Sequence, residues 1–537
     1  MNRILNRANK RISLGSAAGL LVGASAIGQL LGLLRTKLVN GNFPAFGPES
    51  TDAYFAAFKI PDLFYFTLAA GALGVAFMPF LADRLAKGDR KGAFELSNSL
   101  LNLLAIAMFA VGIIIFTFAD PLVHFIMSGT QTDPAQFTNA AAIMRFIAFN
   151  PFIFAVSAIL VSVQQSFGRF FFYSMTTIFY NLPIIIAAGL FSTAGGGDGG
   201  PWNLGIVGLG IGALIGALLQ LSVACLGLIG LNYKYRPKIR WQNPDFKKIL
   251  RQLPPRSLDQ GIDSVNSIAE TKFARQLGEG KLSFYENAYV IHSAPTFLIG
   301  TTISTAAFPR LNDRLAQGRS DLFRRDFLRI LRAIIWITLP VAVVAFFARG
   351  YLARLIYTAN SPEIASILGL FTVAILFRTV YTIVSRWFYA QKDTLTPLYV
   401  SLFAIALNIF LAYSLSKIYG VEGLALAQSI VAAVEVAILF TVMVIRDHRL
   451  LDAYFLRGII GVLSVTGFTV FTAYSMLQFF PLEAADRGFV TLGAKLSIIS
   501  GVTLLVHLVM SAIFGLNEAK TVINKFKQII LSQVKVQ

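Results

Sequence analysis

Hydrophobic residues follow one another along this chain in blocks of about 20, and short polar segments separate the blocks. An α-helix of that length crosses the hydrocarbon core of a bilayer. The pattern therefore predicts an all-α polytopic membrane protein with fourteen transmembrane helices. The predicted spans are residues 14–38, 53–82, 93–118, 139–164, 171–192, 204–231, 257–275, 285–309, 330–348, 363–385, 394–416, 421–444, 458–479 and 489–514.

Composition agrees with that pattern. Of the 537 residues, 56% are hydrophobic and only 14% are charged, whereas soluble domains carry roughly 25% charged residues. This excludes a soluble enzyme and a disordered chain. The net charge of +19 resides mainly in the joints between apolar blocks, so we interpret it as a determinant of topology and expect no nucleic-acid partner.

The basic residues also predict the orientation of the chain. The two termini and the joints on their side of the membrane contain 32 Lys and Arg, against 5 on the opposite side. Cytoplasmic segments carry the excess of Lys and Arg. Both termini are therefore expected in the cytoplasm, and the Gly-rich joint at 195–200 outside. The count also favours the weakly apolar span 257–275, because without it every later joint would change sides.

An internal repeat divides the chain. Residues 79–88 and 309–318 share seven identities at an offset of 230, and weaker matches precede and follow them in the same order. We therefore expect two parallel six-helix lobes, at 1–232 and 233–446, with 447–537 adding two helices and a cytoplasmic tail. The substrate path should lie between the lobes. Prolines at matching positions of spans 2 and 8 predict bent helices there, although ordinary kinks would also account for them.

Little else in the sequence suggests chemistry. Cys225 is the only cysteine, and the four histidines have no metal-ligand spacing. No long extramembrane segment could hold the acidic or histidine constellation of a membrane-embedded transferase. We therefore expect neither an enzyme nor a metal site, and no cofactor beyond a membrane potential or ion gradient that drives transport.

Charged residues inside the predicted spans each require a reason, because their insertion into hydrocarbon costs at least about 2.5–3.5 kcal/mol. Span 7 has a continuous polar face that is expected to line a water-filled cavity. A surface-lying amphipathic helix is the alternative. The residues of this face are Arg256, Asp259, Gln260, Asp263, Asn266, Ser267 and Glu270.

The first half offers Arg35 in span 1 and Lys59 in span 2. Both cations would suit an anionic head group such as a pyrophosphate, since Arg offers bidentate donors and Lys a point charge. For Lys59, an internal ion pair with Asp62 is the alternative. Lys37 could instead extend its ammonium group to the membrane interface.

Residues 51–61, Thr-Asp-Ala-Tyr-Phe-Ala-Ala-Phe-Lys-Ile-Pro, resemble the second-helix signature of the MurJ (MviN) lipid II flippases. These proteins belong to the multidrug/oligosaccharidyl-lipid/polysaccharide exporter superfamily. Residues 31–35, 69–73 and 388–397 are similar to further motifs of that family, and the resemblance covers nearly the whole chain. Arg35 matches a functional cavity arginine of the family, and Asp52 and Lys59 match its motif.

The resemblance implies a flippase of the bacterial inner membrane that serves peptidoglycan synthesis and cell shape. It would move undecaprenyl-pyrophosphate-linked precursor between leaflets by alternating access, as a monomer, with the lipid tail held along spans 13 and 14. Resemblance and polar pattern together give a predicted substrate site of Arg35, Lys59, Asp52, Gln29, Arg256, Asp259 and Asp263.

Departures from the family pattern leave alternatives open. Gln29, Tyr65, Phe66 and Ala70 stand where the family has charged residues, and the cavity arginine of helix 8 is missing near His292. Either Arg256, Lys272 or Arg275 substitutes, or the substrate differs from lipid II. An exporter of another polyprenyl-linked glycan and a drug/cation antiporter of the same superfamily are the alternatives, whereas a channel would not contain its own two-lobed repeat.

Overall fold

A computed structural model describes residues 14–70, 77–129, 133–357, 360–520 and 522–524, and these ranges contain helices and connecting loops but no β-strand. The α-helices are numbered here in chain order. They are α1 (Leu14–Asn42), α2 (Thr51–Phe64), α3 (Met78–Ala86), α4 (Arg90–Thr117), α5 (Ala119–Met127), α6 (Pro134–Ile147), α7 (Asn150–Ser166), α8 (Phe171–Leu190), α9 (Gly208–Leu226), α10 (Pro244–Gln276), α11 (Lys281–Pro295), α12 (Thr302–Ala316), α13 (Ser320–Phe347), α14 (Arg349–Ile356), α15 (Ser361–Ala390), α16 (Leu395–Tyr419), α17 (Val421–Arg446), α18 (Ala453–Phe479) and α19 (Phe489–Ile513).

Among the described residues, ten helical segments are long and apolar enough to cross a membrane. They coincide with predicted spans 3–6 and 9–14, so the prediction of an all-helical polytopic membrane protein is confirmed. The segments are Arg90–Thr117, Pro134–Ser166, Phe171–Leu190, Gly205–Leu226, Ser320–Phe347, Ser361–Ala390, Leu395–Tyr419, Val421–Arg446, Ala453–Phe479 and Phe489–Ile513.

The described parts of the other four predicted spans also fall on helices. Those of spans 2 and 8 are interrupted, and that of span 7 is more polar. Span 1 lies in α1, and span 7 lies in α10. Spans 2 and 8 lie in segments that begin as α2 and α11 and end as α3 and α12. The total of fourteen crossings therefore stays a prediction.

The two segments that contain the internal repeat share an unusual local structure. A π-helical stretch, Tyr65–Ala70, follows α2, and another, Thr296–Thr301, follows α11. Each comes after a helical proline, Pro61 or Pro295. Proline removes a backbone donor, and π-helical turns accommodate such interruptions, frequently at functional sites. The α-helical hydrogen bonding is thus interrupted where the matching prolines predicted a bend.

The contacts divide the chain into two compact units, with the division between Ser283 and Phe284. By this criterion α10 belongs with the first unit, whereas the repeat assigns span 7 to the second lobe. The two divisions differ because one follows the contacts between residues and the other follows the sequence repeat. The lobe boundaries 1–232, 233–446 and 447–537 stay a prediction.

The packing of α10 within the first unit depends on a glycine. A Cβ atom added at Gly261 would lie 2.4 Å from Thr67 Oγ1 in the first π-helical stretch. Only a residue without a side chain permits so close an approach. This contact packs α10 against the π-helical stretch that follows α2.

Candidate functional site

Arg35 and Lys59 are both partly exposed, on α1 and α2. Lys59 Nζ donates a hydrogen bond of 2.8 Å to Ser267 Oγ on α10. Tyr54 on α2 and Tyr180 on α8 lie near the guanidinium group of Arg35. The first unit therefore holds two partly exposed cations that its own helices position, as a site for an anionic group requires.

The remaining predicted residues of the site are placed differently. Gln29 is partly exposed on α1, and Asp263 is exposed on α10. The side chains of Arg256 and Asp259 lie outside the described residues. Their roles, and direct substrate contact by any residue of the predicted site, stay predictions.

The polar face of α10 divides into an exposed part and a buried part. Asp263 is exposed, whereas Asn266 and Glu270 are 6% and 4% exposed. Asn266 Nδ2 donates to Glu270 Oε1 at 3.0 Å. Burial of a carboxylate in a bilayer needs such partners. Part of the face that was predicted to line a cavity is therefore satisfied by protein groups.

Asp52, at the beginning of α2, is the centre of a buried polar cluster. Its side chain is fully buried and forms an ion pair with the equally buried Arg275 at the end of α10. Asp52 Oδ2 also accepts from Gly280 N at 2.9 Å, and Oδ1 accepts from Ser283 N at 2.8 Å and Ser283 Oγ at 2.5 Å. Arg275 Nη2 donates to Gln136 Oε1 at 3.1 Å.

Helix termini explain why a carboxylate belongs at this position. Asp52 is in the first turn of α2, where Ser50 Oγ caps the helix by accepting from Asp52 N at 3.1 Å. Gly280 and Ser283 lie at the start of α11, whose first N–H groups have no partner within the helix. A carboxylate near both helix N-termini satisfies these donors and interacts favourably with both helix dipoles. Through these contacts Asp52 holds the joint between α10 and α11 in position against the beginning of α2.

This cluster corrects one interpretation of the sequence. Arg275 was considered as a substitute for a missing cavity arginine, but its side chain is fully buried and paired with Asp52. It is a positioning residue in this conformation. For Asp52 itself, the structure shows a carboxylate without exposed surface, and its predicted contact with substrate stays a prediction.

Three other charged residues of the predicted spans are paired as well. Arg378 Nη1 lies 3.2 Å from Glu435 Oε2, and Lys495 Nζ lies 2.7 Å from Asp486 Oδ2. Arg145 pairs with Asp120. Ion pairing offsets the cost of these charges without a substrate.

Comparison with known proteins decides the family. The family model described as "Lipid II flippase MurJ" matches residues 45–488, most of the chain. The chain belongs to the lipid II flippase MurJ family. The "Probable lipid II flippase MurJ" of Borreliella burgdorferi is 23% identical over 498 residues, which cover 91% of this chain and 94% of that protein.

Solved structures show that the MurJ fold extends over nearly the whole chain. The structure "Lipid II flippase MurJ, inward closed conformation" has a TM-score of 0.74 and 21% identity, and the match covers 92% of this chain and 98% of that one. An inward-facing multidrug resistance MATE family transporter of the MOP superfamily has a TM-score of 0.66 and 18% identity, with 81% and 98% covered. At these identities the likeness concerns the fold alone.

Membership of the MurJ family confirms the resemblance that residues 51–61 indicated. It also confirms the predicted class, a membrane transport protein and not an enzyme. The sequence did not reveal the pairing of Asp52 with Arg275, because no spacing rule connects residues 223 positions apart. The available signal was indirect: a charged residue at the end of a span, next to Gly278 and Gly280.

Proposed function

We propose that this chain moves lipid II from the inner to the outer leaflet of the cytoplasmic membrane by alternating access. The match of the MurJ family model to residues 45–488 carries the proposal. The partly exposed cations Arg35 and Lys59 support it, since a pyrophosphate is an anion that Arg and Lys bind well. We propose that Arg35 makes the main contact with the pyrophosphate. Lys59, which is hydrogen-bonded to Ser267, makes a secondary contact.

The function is tested by complementation. In a bacterium depleted of its own lipid II flippase, expression of this chain should restore growth. Restored growth would show that the departures at Gln29, Tyr65 and Ala70 do not prevent use of lipid II. Failure of a chain that is present in the membrane at normal amounts would favour another polyprenyl-linked glycan or a drug/cation substrate.

The proposed working unit is a monomer without cofactor, metal or nucleic acid. The two predicted lobes of one chain supply both walls of the path, so no second copy is needed. A membrane potential or an ion gradient would supply the energy, since no nucleotide-binding motif is found in the sequence.

We propose fourteen crossings with both termini in the cytoplasm. In a Cys225→Ala background, cysteines replace the exposed residues Lys91, in the joint at 84–91 that is expected inside, and Asp198, in the joint at 195–200 that is expected outside. An impermeant thiol reagent added to intact cells should label the cysteine at 198, and the cysteine at 91 only after the membrane is opened. Labelling of both from the same side would contradict this topology.

A further inference from the structure

Two interruptions of the helical structure lie next to each other within the predicted membrane spans of the first unit. The first is at Pro61 in α2, shortly before the π-helical stretch. The second divides predicted span 4, where α6 ends at Ile147 and α7 begins at Asn150. Side chains from both places line one small cavity. They are Phe58, Pro61, Asp62, Ile147, Asn150, Pro151 and Phe154.

The two interruptions lie at a similar depth in the membrane. In the proposed topology spans 2 and 4 both begin on the outer side, and Asp62 and Asn150 each follow the start of their span by about ten residues. At the rise of an α-helix this is about 15 Å, which is the middle of a hydrocarbon core about 30 Å thick. Lipid cannot form hydrogen bonds with polar groups at that depth, so protein or a bound ligand must satisfy them.

Proline removes the usual donors of backbone carbonyl groups at both places. Pro61 has no N–H group to donate to the carbonyl of Ala57, one helical turn before it. In the same way Pro151 has none for the carbonyl of Ile147, the last residue of α6. In transporters, carbonyl oxygens at the breaks of membrane helices coordinate small cations. The cavity therefore lies where such oxygen atoms are concentrated.

Asn150 is the second observation that indicates a ligand. Its side chain is only 3% exposed and lines the cavity. Neither its amide oxygen nor its amide nitrogen has a hydrogen-bond partner among the described residues. Buried amide groups are usually paired with protein or with water, but this cavity has no room for a water molecule. A smaller ligand is needed to satisfy the amide oxygen.

Asp62 supplies a negative charge to the same cavity. Its side chain is partly exposed, so an ion can reach it from water, whereas Asn150 is buried. A carboxylate has about four acceptor positions, so it can bind a cation and keep other contacts. Tyr54 and Tyr180, which lie near Arg35, also lie near Asp62. The cavity is therefore close to the proposed substrate cation.

We propose that the carboxylate of Asp62 and the amide oxygen of Asn150 bind a Na⁺ ion, together with backbone carbonyl oxygens at the two prolines. Carboxylate, amide and carbonyl oxygens are the ligands that hard cations prefer. A single carboxylate balances one positive charge, which suits a monovalent ion. The Na⁺ ion is an exchangeable ligand and not a resident cofactor, and its binding does not depend on what the chain transports.

The size of the cavity favours Na⁺ over a water molecule and over K⁺. Na⁺ has nearly the size of Ca²⁺, whose oxygen ligands lie at about 2.3–2.6 Å. The oxygen partners of a water molecule lie at about 2.7–2.8 Å. A cavity that is too narrow for water can therefore hold a bare Na⁺ ion, whereas the larger K⁺ ion fits less well.

The test measures the binding of radioactive Na⁺ to the full-length protein in detergent by a scintillation proximity assay. Choline chloride keeps the ionic strength constant, because choline is too large for the cavity. We expect saturable binding that unlabelled NaCl displaces and that KCl displaces much less. Na⁺ should also raise the unfolding temperature of the protein, since a ligand that binds only the folded state stabilises it.

Two variants locate the ion. Asp62→Asn replaces a charged ligand by a neutral one and should weaken Na⁺ binding about tenfold or more. Asn150→Ala keeps the charge and removes one neutral ligand, so a loss of about fivefold is expected. The matched control is Asp83→Asn, because Asp83 pairs with Lys87 on the surface, and Na⁺ binding should be unchanged there. Unfolding temperatures in choline chloride establish that each variant is folded.

Three results would overturn the proposal. The first is the absence of saturable Na⁺ binding by the unchanged protein. The second is Na⁺ binding that keeps the same affinity in Asp62→Asn and Asn150→Ala, which would place the ion elsewhere. The third is an unfolding temperature that Na⁺ does not change but that depends on pH only while Asp62 is present, which would assign the site to a proton. None of these measurements uses a lipid substrate, so failure of the Na⁺ site is distinguishable from failure of the proposed function.

Discussion

Replacement of Asp52 by asparagine is expected to lower the free energy of unfolding by about 3–5 kcal/mol, the cost of breaking a buried ion pair on one side. The substitution keeps the size of the side chain but leaves the fully buried Arg275 without its carboxylate partner. Arg275→Gln should have a similar effect, because it leaves the Asp52 carboxylate without its guanidinium. Unfolding of the purified protein in detergent measures both.

The double variant distinguishes pairing from simple loss of packing. Asp52→Asn/Arg275→Gln removes both charges, and the single oxygen of the asparagine amide can still accept from one of the two donors, Gly280 N or Ser283 N. It should be less destabilised than either single variant, since no isolated buried charge remains. Asp83→Asn is the matched control, because Asp83 pairs with Lys87 on the surface, and little change is expected there. Additive losses in the double variant would contradict the account of this cluster.

Arg35→Ala is expected to abolish complementation while the protein still inserts into the membrane. Charge-assisted hydrogen bonds to a phosphate contribute about 1.5–3 kcal/mol each, and an arginine can make two of them. Arg35→Lys keeps the charge but loses the bidentate geometry, so partial activity is expected.

The control for this variant is Lys37→Ala, on the same helix and also partly exposed. Lys37 is interpreted as an interfacial cation, and its removal should leave growth unaffected. Immunodetection of the membrane fraction establishes that each variant is present in equal amounts. Normal growth with Arg35→Ala at ordinary expression would show that the head group does not depend on Arg35.

Hydropathy predicted the apolar membrane spans of this fold well. The ten apolar spans are recognised by length and composition alone, so a sequence suffices to locate them. The interruption of spans 2 and 8 could also be predicted, because a proline inside a helix has the same local effect in every fold. The form of that interruption, a π-helical stretch, depends on neighbouring helices.

The polar groups inside the membrane were predicted less well. Periodicity shows that Asp263, Ser267 and Glu270 share a face of α10, but not whether water, substrate or protein meets it. In the structure, Asp263 is exposed and Glu270 is bonded to Asn266. Likewise, the pairing of Arg275 with Asp52 could not be predicted from the sequence, because only the tertiary structure brings the two residues together.

The most direct test of the proposed function measures the location of lipid II. Cells depleted of their own flippase are supplied with this chain, and an enzyme that cleaves lipid II is added outside. The fraction of lipid II that is cleaved reports the amount in the outer leaflet. We expect the unchanged chain to restore cleavage and Arg35→Ala to leave lipid II protected. Lipid II that stays protected although the unchanged chain is present in the membrane would contradict the proposed function.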